Sequence, residues 1–343
     1  MISGNLQELI IHKVGNKSLD ENLILTNTKT DLDEELIAIL NTYFFSSFKN
    51  EERYKFHHEF DINLNEVFSC ISKIFEDVSC LQEQSENIAK HLYEKSEHPN
   101  IKPGELYIGY FTACLVDGVA TDAIGIFKSE NRDTFLDVQQ NFEGFELTSK
   151  QGININKLDK GCFVFNIQKE EGYVLSIIDN TNKSKEAQYW KDDFLKVFVL
   201  NNDYHQTNQF LTIAKEFVSK QIGEEFEVSK TDKIDLLNRS VDYFKNHESF
   251  DKQEFESAVF ADEEVIQSFR KFDQVYRSEN ELEPTDSFFI SDQAVKKQSR
   301  VFKSVLKLDK NFHIYIHGDK ELIEQGTDDD GRKFYKIYYE QEL

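Results

Sequence analysis

The feature that most restricts the fold of this chain is a change of hydrophobic period. Up to residue 93, apolar side chains recur at helical spacing in runs over residues 34–48, 64–75 and 80–93. From residue 105 to 181 the pattern becomes strand-like. Residues 105–116, 120–127 and 134–139 are rich in β-branched and aromatic side chains, and 161–168 with 173–178 read as a hairpin about Glu170-Glu171-Gly172. After Asn201-Asn202 helical spacing returns. Antiparallel strands between helical blocks make an α+β fold. With 343 residues the chain exceeds the usual single core. The expectation is an N-terminal mixed helix and antiparallel-sheet domain over 1–200, then a helix-rich domain over 201–343 closing with short β-strands.

Local signals fill in this frame. Residues 6–14 and 21–28 read as strands, and Asp31 with Glu34 suits a capping box before a helix whose Leu36, Ile39, Leu40 and Tyr43 share a face. His98-Pro99-Asn100 and Lys102-Pro103-Gly104 break the chain before the sheet. Asp203 with Gln206 suits a second capping box, ahead of a stripe of Leu211, Ala214, Phe217, Val218 and Ile222. Helices are expected over 234–244, 251–260 and 262–276. Strands are expected over 312–316, 321–324 and 333–339, with Asp330-Gly331 as a hairpin turn.

Several function classes lose support at this level. No apolar run nears the ~20 residues of a membrane helix. The opening MISGNLQELIIHKVGN has no basic leader ahead of an apolar stretch, so no signal peptide is read and a cytoplasmic protein is expected. Cys70, Cys80, Cys114 and Cys162 are scattered without a CxxC, which fits reduced thiols. Phosphate-loop, GxGxxG and HExxH motifs are missing, so no cofactor is expected. His57-His58-Glu59 and the pair His313/His317 lack further ligands at metal-site spacing. Asp328-Asp329-Asp330-Gly331 lacks the alternating ligands of a calcium loop. Asp122 and Lys128 suggest part of a metal-dependent nuclease, but Ile126 occupies the acid's place and neither Asp117 nor Glu105 is spaced to replace it. The chain is read as a non-enzyme.

Charge supplies the positive signal. The net charge is −23, which opposes any uniform attraction to nucleic acid, so DNA contact requires cations gathered locally. Residues 248–283 hold eleven acidic side chains to four basic ones. Residues 291–310 hold Lys296, Lys297, Arg300, Lys303, Lys307 and Lys310 to only two acids. As one helix over 291–307, Lys296, Arg300, Lys303 and Lys307 would form a stripe able to track phosphates. As a strand over 301–308, Lys303, Val305 and Lys307 would share a mixed edge face that discourages aggregation. Lys183, Lys185 and Lys191 surround Trp190, which reads either as a base-stacking platform or, with Glu186, Asp192 and Asp193 interleaved, as a core anchor.

The strings LQELIIHKVGN, TDAIGIFKSE, AQYWKDDFLKV, TDKIDLLNRSVDYFKNHESFDKQEF and FKSVLKLDKNFHIYIHG, taken in order, resemble bacterial nucleoid-associated proteins of the NdpA type, from about Leu6 to the C-terminus. The resemblance implies a cytoplasmic, nucleoid-located, DNA-associated protein with no known enzymatic step; contact through phosphates adds the expectation of double-stranded DNA held with weak sequence preference. It also implies type II topoisomerase as a partner. It carries over no binding residue. The DNA-binding set Lys296, Lys297, Arg300, Lys303 and Lys307 therefore rests on charge clustering. A second reading makes the chain an acidic interaction module docking a basic DNA-bound partner, without direct DNA contact.

Overall fold

The computed structural model describes residues 2–49, 52–142, 144–181, 189–280, 282–300, 302, 305–308, 310–316 and 322–341. The chain divides into two compact units, Met1–Leu200 and Asn201–Leu343. The fold is α+β.

The first unit runs β1 (Ser3–Val14), α1 (Glu34–Phe45), β2 (Tyr54–Phe56), α2 (Glu66–Glu76), α3 (Leu81–Glu94), β3 (Gly104–Val116), β4 (Val119–Ser129), β5 (Asp133–Asn141), β6 (Gly144–Gly152), β7 (Lys160–Phe165), β8 (Val174–Asp179) and β9 (Val197–Val199). Seven strands form one sheet in the order β1-β3-β4-β7-β8-β2-β9, every pair antiparallel. Register follows the period-2 alternation of the sequence. The row Ile10–Ile108–Ile126–Cys162–Ile177 crosses five strands and packs with Phe68, Ile71 and Ile88 from α2 and α3. The adjoining row, Tyr107 and Phe127, points to the other face and packs with Tyr43 and Phe44 of α1. All six residues of β7 are buried, because both faces of this central strand are covered. Gly125 is required where Phe111 and Phe127 close over the sheet, since a Cβ there would meet their rings at 2.4–2.7 Å.

Several local expectations are corrected. Residues 21–28 form no strand. Only Ile24 bridges Lys13, and the Thr26 amide donates instead to His12 Nδ1 at 3.1 Å. The cap of α1 is Asp33, not Asp31, accepting from the Leu36 amide at 2.8 Å. The helix ends at Phe45, and Ile39 stays 38% exposed while Phe44 is fully buried. Strand β6, with its alternating but wet residues, had no sequence signal of its own; it pairs with β5 as a separate two-stranded ribbon.

The second unit runs α4 (Asp203–Glu216), α5 (Ile222–Glu225), α6 (Lys230–Asn246), β10 (Ser249–Asp251), α7 (Lys252–Val259), α8 (Glu263–Glu279), β11 (Ser287–Phe289), α9 (Asp292–Ser299), β12 (Val305–Leu308), β13 (Phe312–Tyr315), β14 (Ile323–Thr327) and β15 (Lys333–Ile337). Its core is aromatic: Phe210, Phe244, Phe250, Phe255 and Phe269 pack with ring centroids 4.2–6.2 Å apart. The stripe Leu211, Ala214, Phe217, Val218 and Ile222 is buried as its spacing requires. Asn202, one residue earlier than expected, caps α4 through the His205 amide at 3.0 Å. Ser229 and Asp232 form a reciprocal capping box on α6. Asp328 to Gly331 is the turn between β14 and β15, where Asp328 accepts from the Asp330 and Arg332 amides at 3.1 and 2.8 Å.

Candidate nucleic-acid interface

The basic stretch takes both conformations that its sequence permits. The Ser291 side chain caps α9, Ala294 and Val295 are buried, and the helix packs on α4 and α6. It stops at Ser299. Phe302 is buried in the aromatic core, and Leu306 of β12 joins Ile234 and Ile316 in a smaller cluster. Burying both Phe302 and Leu306 sets the local geometry, and a single helix over 291–307 does not form. Lys307 instead lies on β12, exposed beside buried Leu306 and paired in register with His313.

Lys296 and Lys297 occupy the last turn of α9, and Arg300 is its C-terminal cap. All three are exposed. Cations are stabilised there by the unpaired carbonyls and the negative end of the helix dipole, by roughly 0.3–1 kcal/mol each. Lys297 Nζ donates to Tyr204 Oη at 3.2 Å and lies 5.7 Å from the ring centroid, so the ammonium is braced by a neutral partner. Among the described residues, no carboxylate pairs with Lys296, Lys297, Arg300 or Lys307. Lys303 lies outside the described residues.

The acidic stretch behaves oppositely. Its buried acids hold three of its four bases: Lys252 and Arg277 hold Asp273 at 2.5 and 2.6 Å, and Arg270 holds Glu256 at 2.7 Å. These residues line a cleft of about 790 Å³ with Asp251 and Asp286. Asp262, Glu263, Glu264 and Glu279 remain exposed along α8 and its cap.

A few basic residues of the first unit are internal instead. Lys128 and Lys160 are fully buried neighbours across β4 and β7. Lys128 Nζ donates to the Lys102 carbonyl at 2.6 Å and to Glu130 at 3.0 Å, while Lys160 donates to Asp179 and Thr181, both at 2.7 Å. Burial pushes the Lys128 ammonium below its usual range, opposed by Glu130. Arg53 grips Asp117 with two hydrogen bonds of 2.7 and 3.0 Å.

Asp122 accepts from Tyr110 Oη at 2.6 Å, and Lys128 lies six residues further along the same strand β4, roughly 20 Å away at strand rise, so the structure does not bring these two side chains together. Among the described residues, no group of three His, Cys, Asp or Glu side chains could hold a metal; His317 lies outside them. Trp190 is fully buried, 4.9 Å from the Phe194 ring, so it is a core anchor and not a stacking platform; Lys183 and Lys185 lie outside the described residues.

Among the described residues, no helix is long and apolar enough to cross a membrane. No curated protein matches the chain. The family model described as nucleoid-associated protein YejK matches residues 10–340, which takes in both units nearly whole. With that extent of match, the chain belongs to the nucleoid-associated protein YejK family.

Proposed function

We propose that this nucleoid-associated protein holds double-stranded DNA through phosphates, using Lys296, Lys297, Arg300 and Lys307, with Lys303 from the same stretch. The observation that carries the reading is that the four described cations are exposed and, among the described residues, unpaired by carboxylates, in a chain of net charge −23. Phosphate contacts of this kind position a protein on the duplex without reading its sequence. The family's own place is with the nucleoid, in the cytoplasm.

The test is retention on duplex DNA across a salt series. Each neutralised phosphate contributes a slope of about −0.9 in log affinity against log salt, so four to five cations predict about −4. Changing Lys296, Lys297, Arg300 and Lys307 to Glu should flatten that slope and abolish retention at 0.1 M salt. A flat slope in the unaltered protein, or full retention by the altered one, overturns the reading.

The exposed acids of α8 favour a second reading, in which that face docks a basic DNA-bound partner such as a type II topoisomerase. A partner recovered after nuclease treatment of the lysate would support docking; one lost on DNA removal would count against it.

A further inference from the structure

The ribbon of β5 and β6 has two unlike faces. Cross-strand partners share a face, so the pairs Leu136–Ser149, Val138–Leu147 and Gln140–Phe145 lie together. That face shows four apolar side chains to solvent: Leu136 is 72% exposed, Val138 59%, Leu147 63% and Phe145 76%. Its remaining positions are Thr, Ser and Gln, and none is charged. Phe142 is wholly exposed at the tip. The charges sit on the opposite face, where Asp137 pairs with Lys150 at 2.5 Å and Glu146 opposes Gln139.

A two-stranded ribbon is marginal in water unless a third layer covers its apolar face. Among the described residues, β5 and β6 pair only with each other. We infer that this face binds the same face of a second copy, two ribbons packing about a two-fold axis. Charge selects the occupant. Residues 133–152 hold four acids and one Lys, which disfavours DNA. A basic protein would meet no carboxylate on the bare face. Two copies, each at −23, repel except where they present uncharged surface, and this face is such a surface. An isologous contact requires only that the patch complement itself.

The area is adequate for a reversible dimer. The Phe145 ring at ~150–250 Å², with three aliphatic side chains at ~60–120 Å² each, gives roughly 330–610 Å² a side. That is the size of a weak, reversible interface, below the ~800 Å² of a standard one.

Sedimentation velocity of the full chain, from about 1 to 100 μM and without DNA, tests this. The expected result is a concentration-dependent shift from monomer to dimer. Leu136→Glu with Leu147→Glu should leave monomer throughout, and Phe145→Ser, a milder change, should raise the dissociation constant about tenfold. Gln139→Glu, on the charged face, should leave the equilibrium unchanged. A wild-type monomer at 100 μM overturns the inference, as does a dimer indifferent to the two Glu substitutions. Monomeric wild type whose DNA retention falls in the double variant would make the face a DNA contact and equally overturn it.

Discussion

Two sets of cations in this molecule have opposite fates. In the sheet of the first unit, Lys128 and Lys160 are buried between strands and Arg53 is 4% exposed, each held by a named carboxylate. At the end of α9 and on β12, Lys296, Lys297, Arg300 and Lys307 stand in solvent with no carboxylate among the described residues. The first set is part of the fold; the second stays on the surface. Net charge describes neither. A buried, paired lysine adds nothing to an external field, whereas a few unpaired ones at a helix end create a local field in an acidic protein.

The contrast can be broken most forcefully at Lys160. Lys160→Met keeps most of the side-chain volume but removes the ammonium from Asp179 and Thr181, and breaking a buried pair costs about 3 kcal/mol. Urea unfolding should show the midpoint falling, with DNA retention of the folded protein unchanged. Retention lost in step with stability would erase the distinction between the two sets. Lys297→Ala is the sharper, smaller probe. It removes a braced but exposed cation, so stability should change by less than about 1 kcal/mol while the salt slope of DNA retention drops by about 0.9. The smallest effect concerns His12, which is 1% exposed between Ser85 and the Thr26 amide, and whose pKa burial lowers from 6.5. A folded-state pKa below the unfolded one gives stability that is full above pH 6.5 and lost as pH falls through the folded value. His12→Gln should therefore flatten the decline in thermal stability between pH 7 and 5.

Much of the architecture was legible because it rests on periodicity. The runs in β3 and β4, the stripe that begins on α4 and runs on to Ile222, and the Asp330-Gly331 turn each contain their own explanation. What escaped was what depends on choosing between adjacent equivalents or on distant partners. Asp31 and Asp33 can each cap a helix, and so can Asn202 and Asp203; the chain's approach decides. Arg53 meets Asp117 across 64 residues, which no spacing rule reaches. The basic stretch was ambiguous because both readings were half right: its first half is helix, and Phe302 and Leu306 seek different clusters, so the second half becomes strand. The bare face of the β5–β6 ribbon was invisible, since alternation alone does not say whether the apolar side is covered.

The position of β2 has a consequence for synthesis. Residues 54–56 pair with β8 through Tyr54–Leu175 and with β9 through all three residues. A strand made early must therefore wait for more than a hundred later residues before it has neighbours. The nascent sheet can join β1, β3, β4 and β7 as a meander, yet it closes only when residue 199 emerges from the ribosome. Contacts so distant in sequence are slow to form, and the edge of β2 that awaits β9 is open to foreign strands meanwhile. Translation speed over residues 180–200 thus becomes a variable in the yield of folded protein.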